Sequence, residues 1–170
     1  MIKKIFLFAA FFSVAAFTMN AQRIAVVDIN KVLESMDDYR KAQDELDKLA
    51  ATWRTQIAQE YDKIKSMYNK YQAEQVLLSD EVRTQREDEI MNKEKEVREL
   101  QKDKFGPEGA LFRKRQELVN PIQQKVYAAV EEYANDRGYD FIFDLAGSAG
   151  ILFSKEEYNK TDDVLKRLRN

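Results

Sequence analysis

The sequence predicts an α+β fold that is mostly helical: a small β-rich head assembled from discontinuous segments, and a long α-helical hairpin of coiled-coil type. Two observations predict it. No glycine or proline occurs from Met1 to Phe105, and most of that stretch is charged, with apolar residues at heptad spacing. Two short apolar runs, Ile24-Ala-Val-Val-Asp28 and Phe141-Ile-Phe-Asp144, lie far apart with the helical sequence between them.

Residues 1–21 read as an export signal. Met1-Ile-Lys-Lys4 is basic, Ile5 to Phe17 is apolar apart from Ser13, and Ala21 offers a small residue before Gln22. The competing reading is a membrane anchor, which needs about 20 apolar residues. The run is shorter, so we expect an exported chain with no stable anchor after cleavage, although it can work close to a membrane surface.

Cleavage removes Lys3 and Lys4, leaving 26 basic against 30 acidic residues and a net charge near −4. That balance argues against nucleic acid as a partner. Cysteine and histidine are both absent. No disulfide contributes to stability, no lipid is attached through a thiol, and the commonest acid/base side chain and metal ligand are missing.

Each element has its own signal. Ile24 to Val27 is β-branched and apolar apart from Ala25, and predicts a buried strand that ends at Asp28. Asp28 or Asn30 caps a short helix holding Val32, Leu33 and Met36. From Asp37 to Leu78, one seam carries Ala50, Ile57, Ile64, Tyr71 and Leu78; a second carries Leu46, Trp53 and Met67, interrupted by Glu60 and Glu74. A helix of that length spans roughly 63 Å, and so narrow a stripe covers one partner helix. The pairs Asp44–Lys48, Glu89–Lys93 and Glu94–Arg98 are spaced to add i,i+4 support.

Ser79 is a good N-cap, and Asp80 and Glu81 favour a first turn, so the reversal is placed at 77–81. The second helix runs to about Lys104 with a seam through Arg86, Ile90, Val97 and Leu100, and Phe105-Gly-Pro-Glu-Gly109 breaks it. A third runs from about Glu108 to Arg137, with a stripe through Phe112, Val119, Ile122, Val126, Ala129, Val130 and Tyr133. Pro121 is expected to kink it. Gly138 caps its end. Phe141 to Asp144 and Ile151 to Phe153 are expected to form a hairpin around Ala146-Gly-Ser-Ala-Gly150, and Thr161 or Asp162 to cap a last helix. The head is therefore placed at 22–36 and 138–170, and the hairpin arm at 37–137.

Three short strands cannot bury Ile24, Val26, Ile142, Phe143, Ile151 and Phe153 within one chain. Self-association into a closed oligomer with a shared core is the expected solution. Along the hairpin, Tyr61, Met67, Tyr68, Tyr71, Leu77 and Leu78, with Trp53, are candidates for adaptable, low-specificity contacts with apolar chains. The bland alternative is that these residues form the hairpin seam.

Catalytic patterns are weak. Ser79, Ser148 and Ser154 have no histidine to activate them and no nucleophile-elbow context. Glu87-Asp-Glu89 lacks the spacing of a calcium loop, and Gly147-Ser-Ala-Gly150 is followed by no P-loop lysine. The basic runs Lys102 to Lys104 and Arg113-Lys-Arg115 are diluted by neighbouring acids. We expect no enzyme, no cofactor and no metal.

The opening Arg23-Ile-Ala-Val-Val-Asp-Ile-Asn-Lys-Val-Leu33, the charged hairpin, Tyr139-Asp-Phe-Ile-Phe-Asp144 and the ending Thr161-Asp-Asp-Val-Leu-Lys-Arg-Leu168, together with the export signal, resemble the Skp/OmpH family of periplasmic chaperones of Gram-negative bacteria. The resemblance covers essentially the whole mature chain and rests on the order of elements. It implies a homotrimer with a β-rich head and three helical tentacles. These hold unfolded outer-membrane β-barrel proteins in a central cavity, without ATP, on their way to the outer membrane. It places the six apolar strand residues above in the head or trimer core and the client on the inner tentacle faces.

Two features depart from the family pattern. The mature chain is slightly acidic where the best-known family members are markedly basic with positively charged tentacle tips, and its tip mixes Glu74, Asp80 and Glu81 with Arg83 and Arg86. The return leg, at about 59 residues, is also longer than the outgoing one of about 42 if both are helical. A structural coiled-coil scaffold of the envelope, binding one folded partner, is the alternative to a chaperone.

Overall fold

A computed structural model describes residues 22–147 and 150–169. The expected signal segment and Ser148 lie outside the described residues. The chain divides into two compact units. One comprises the segments up to Val32 and from Tyr127 onward; the other is Leu33–Val126. Both crossings come earlier in the chain than the expected 36/37 and 137/138 boundaries. The reason is visible at Tyr133, which the sequence places in the arm but whose hydroxyl donates to Asp163 Oδ2 near the C-terminus at 3.0 Å.

In the first unit, β1 (Ile24–Val27) and β2 (Phe141–Asp144) form a two-stranded parallel sheet, with Ile24 opposite Phe141 and Val27 opposite Asp144. Parallel neighbours need a long crossover, which the intervening helices supply. Ala25 and Val27 are fully buried. Asp28 starts α1 (Ile29–Ser35): its Oδ1 accepts from the Lys31 amide at 2.9 Å, which selects it over Asn30 as the cap.

The expected third strand is not formed. Ile151 to Phe153 carries no strand pairing, and Leu152 and Phe153 are 99% and 82% exposed. The free edge of β1 is taken instead by Asn159 and Lys160, through a bridge at Val26 and a Lys160 amide that donates to the Val26 carbonyl at 2.8 Å. A two-stranded sheet also offers no second layer against which those apolar side chains could be buried.

The last helix of this unit, α5 in chain order, spans Thr161–Arg169. Neither Thr161 nor Asp162 caps it, because Thr161 is already its first residue. Asn159 Oδ1 accepts the Thr161 amide at 3.1 Å in that role.

The second unit is a helical hairpin. α2 (Asp37–Glu74) ends in a 3₁₀ turn at Gln75–Leu77, and α3 (Asp80–Phe105) returns. The Ser79 hydroxyl accepts the Val82 amide at 3.4 Å, as its cap role requires. The next helix, α4 (Ala110–Arg137), contains Pro121 without a break in its helical span. It ends in a Schellman motif: Gly138 has φ +65°, Tyr139 N–H donates to Ala134 and Gly138 N–H to Asn135.

Two apolar clusters hold the hairpin. Ile57 and Ile64 of α2 pack with Ile90 and Val97 of α3, with Met67, Tyr71, Leu100 and Phe105 alongside. Lower on α2, Ala42 and Leu46 pack with Val119 of α4. Both return segments thus use the same outgoing helix. The break between them absorbs the surplus length of the return leg, and it needs glycine for steric reasons. A Cβ at Gly106 would stand 2.4 Å from the Lys102 carbonyl oxygen, and one at Gly109 would stand under 3.0 Å from three backbone atoms.

The helical stripes differ from expectation in two places. Phe112 faces solvent. Of the three i,i+4 pairs, Glu94–Arg98 forms at 3.4 Å, whereas Glu89 pairs with Arg86 and Lys93 turns to Glu60 and Glu96. Asp44–Lys48 is not among the ion pairs of the described residues. Partners across the seam outcompete the intrahelical spacing, because they are held at the right distance by the packing.

Candidate functional site

Three tyrosines in the distal part of α2 reach across to α3. Tyr61, Tyr68 and Tyr71 each donate a hydrogen bond across to α3, to Gln101 at 3.2 Å, to Glu94 at 3.0 Å and to Glu87 respectively. The carboxylate partners raise the Tyr68 and Tyr71 hydroxyls above their ordinary pKa, first through the hydrogen bond. The hydroxyls are therefore structural struts, while the Tyr61 and Tyr68 rings remain exposed. Met67 and Tyr71 are half-buried against the Ile57–Val97 cluster. Trp53 is likewise engaged, edge-on to Phe105 at 6.2 Å with Lys104 over its ring.

The tip exposes adjacent apolar side chains. Leu77 is 85% and Val76 81% exposed, Val82 and Met91 are also exposed, and Leu78 is half-buried. Sequence reasoning found Leu77 and Leu78 but missed Val76. The signal was the run Val76-Leu-Leu78 directly before the Ser79 cap, where no seam position needs it. Both tip arginines are engaged locally, Arg83 with Asp80 at 3.5 Å and with the Leu78 carbonyl, and Arg86 with Glu89 at 2.9 Å.

In the other unit the sheet has two unlike faces. Side chains paired in parallel register share a face, so Ile24, Val26, Phe141 and Phe143 lie on one and Ala25, Val27, Ile142 and Asp144 on the other. Val26 is buried and Ile142 half-buried, but Ile24, Phe141 and Phe143 are exposed, the two phenyl rings stacking at 6.2 Å. Ile151 is half-buried and Phe153 open. Five of the six residues assigned to an oligomer core thus keep apolar surface available, and Val26 is covered by its own chain.

Arg23 fastens this sheet. Its amide donates to Asp140 Oδ2 at 2.7 Å, its carbonyl accepts from the Asp140 amide, its guanidinium donates to the Arg137 carbonyl, and the same group lies 5.0 Å from the Tyr139 ring. Arg167 joins α5 to α4 through Glu132 and Asp136 at 3.2 and 2.6 Å.

Among the described residues, the candidate chemical groups are engaged in structure rather than assembled together. Ser79 is a helix cap and Ser154 lies in a segment without regular structure. Glu87 accepts from Tyr71 and Glu89 pairs with Arg86, so the acidic run is divided between partners. No group of three acidic, histidine or cysteine residues suited to a metal occurs among the described residues, and none of their helices is long and apolar enough to cross a membrane.

Residues 23–168 match the family described as outer membrane protein (OmpH-like). No curated protein matches. Among solved structures, a crystal structure described as an OmpH-like outer membrane chaperone from Caulobacter crescentus CB15 has a TM-score of 0.67, at 10% identity, over 87% of this chain and 84% of that one. At that identity the likeness establishes the fold. Because the family match spans nearly the entire described chain, the protein belongs to the OmpH-like outer membrane protein family.

Proposed function

We propose that this protein is a periplasmic holdase that binds unfolded outer-membrane β-barrel proteins without ATP and prevents their aggregation in transit. Family membership supports a chaperone role, and the family is not one of enzymes. The observation that carries the reading is the exposed apolar tip: Val76 and Leu77 lie open on a hairpin whose own seam is already filled. Isolated exposed apolar residues are ordinary, but adjacent ones at a helical reversal form a contact surface. The exposed Tyr61 and Tyr68 rings extend it along the flank.

The open face of Ile24, Phe141 and Phe143, with Phe153, supports assembly as a homotrimer through a shared core. Clients then sit in a cavity between the helical hairpins of the three copies. The export signal expected at residues 1–21 supports a periplasmic location.

The test is to dilute a urea-unfolded β-barrel protein into buffer with the mature protein and follow light scattering. Suppression at a stoichiometric amount of trimer, unchanged by added nucleotide, is expected. Undiminished aggregation at molar excess overturns the proposal. Capture from envelope extracts separates the scaffold alternative, since a chaperone recovers many barrel proteins and a scaffold one stoichiometric partner.

A further inference from the structure

The seam between α2 and α3 is sparse and repetitive. Its buried residues are Ile57 and Ile64 on one helix and Ile90 and Val97 on the other. Both pairs are seven residues apart. Sliding α3 by one heptad, so that Ile64 meets Val97 or Ile57 meets Ile90, still places apolar opposite apolar. Such a slide moves the reversal by about three to four residues from the Gln75–Ser79 turn and requires the break at 106–109 to rearrange, so it is a change of the whole hairpin rather than of one contact. The apolar residues alone therefore leave the register of the hairpin open.

One layer breaks this degeneracy. Glu60 lies between Ile57 and Ile64, and its side chain is only 17% exposed. Lys93, between Ile90 and Val97 on α3, reaches its Oε2 at 2.9 Å, and Lys63 of α2 reaches its Oε1 at 2.6 Å. Glu96 receives Lys93 from the other side at 3.3 Å. The lysines hold the Glu60 carboxyl below its ordinary pKa, first Lys63 and then Lys93. A heptad slide one way sets Glu60 near Leu100 and Lys93 near Met67. The other way sets Lys93 near Trp53. The first leaves both charges against apolar residues, which is costly; the second gives up the Glu60–Lys93 contact and sets Glu60 near Arg86 instead.

We propose that the Glu60–Lys93 layer is the register lock of this hairpin, the device that selects one alignment of α3 on α2 from heptad-related alternatives. The tip and the tyrosine struts to Glu87, Glu94 and Gln101 all depend on that alignment.

The cysteine-free chain permits a direct test with spin labels on Gln59→Cys and Lys95→Cys, both exposed positions. A one-heptad slide moves the helices by about 10 Å along their axes. The parent chain is expected to give a single distance, and E60L/K93L a second distance several ångström longer, with helical content retained. E60K/K63E/K93E/E96K, which exchanges all four charges of the layer, is expected to restore the single distance. One unchanged distance in E60L/K93L overturns the proposal. If E60L/K93L loses its helical signal, E60Q/K93Q decides: two distances support the lock and one overturns it.

Discussion

The Thr161 hydroxyl accepts a hydrogen bond from the backbone amide of Asp28 at 2.9 Å, joining residues 133 positions apart. The same hydroxyl donates to Asn159 Oδ1 at 2.6 Å, and Thr161 is 1% exposed. It therefore ties the end of β1 to the start of α5 with no water to replace it. Thr161→Val keeps the shape but strands the Asp28 amide, and is expected to cost about 1–3 kcal/mol. Thr161→Ser retains the hydroxyl and should cost less. Urea midpoints at constant m-value measure both.

Tyr133 gives the first unit an alkaline limit. Burial, then the hydrogen bond and charge of Asp163, push its hydroxyl well above the ordinary tyrosine value near 10. The fold thus favours the protonated form. Its contribution is complete below about pH 10 and is lost as the pH rises from there toward the folded value, because the unfolded chain releases its proton first. Tyr133→Phe is expected to cost about 1 kcal/mol at neutral pH and to flatten part of the alkaline fall in stability. Urea midpoints between pH 8 and pH 11 check the slope, with the part due to Tyr68 and Tyr71 remaining.

Self-contained signals in the sequence carry through to the fold. Ser79 and Gly138 act through neighbours a few residues away, and the β1 run and the Ile57–Ile64 seam carry periodic apolar patterns of their own; each forms as expected. What the sequence concealed depends on partners distant in the chain. Ile151 to Phe153 looks like a strand by composition, but the available edge of β1 goes to Asn159. Thr161 looks like a cap but bonds to Asp28. Glu60 looked like an interruption of the seam, and only the position of Lys93 reveals it as part of one. The tip was legible at Leu77 and the struts at Tyr61, Tyr68 and Tyr71 were not, since their hydroxyl partners lie on another helix.

The break between α3 and α4 is sterically specified by its glycines. Gly109→Ala brings a methyl group under 3.0 Å from the Gly106 nitrogen and from the Asp103 and Lys104 carbonyl oxygens, which are backbone atoms that cannot rotate aside. A cost of about 1–3 kcal/mol is expected, as for other overpacked sites. Gly106→Ala meets the Lys102 carbonyl in the same way. Thermal melts followed by circular dichroism measure the loss, and an unchanged midpoint for both variants would show that the break relaxes freely.

The tip separates function from stability. Leu77→Glu and Val76→Glu alter side chains that are 85% and 81% exposed, so the folded state should change by no more than about 0.5 kcal/mol. If the tip contacts clients, both variants suppress the aggregation of an unfolded barrel protein less than the parent at equal concentration. Light scattering during refolding reads this directly. Full suppression by the double variant would move the client surface away from the tip, toward the exposed Tyr61 and Tyr68 rings.

Assembly is best tested at Phe153 rather than at Ile142. Ile142 shares the buried sheet face with Ala25 and Val27, so Ile142→Glu damages the fold of a single chain as well as any interface. Phe153 is 82% exposed within one chain, and a glutamate there costs the isolated fold little. In a shared core the same change buries an unpaired charge, which is strongly unfavourable. Phe153→Glu is therefore expected to lower the mass in size exclusion with light scattering from that of a trimer to that of a monomer, while the helical signal of the hairpin persists. Leu77→Glu should leave the mass unchanged. Equal masses for the parent and Phe153→Glu would remove Phe153 from the interface and leave Ile24, Phe141 and Phe143 as the apolar face to be tested next.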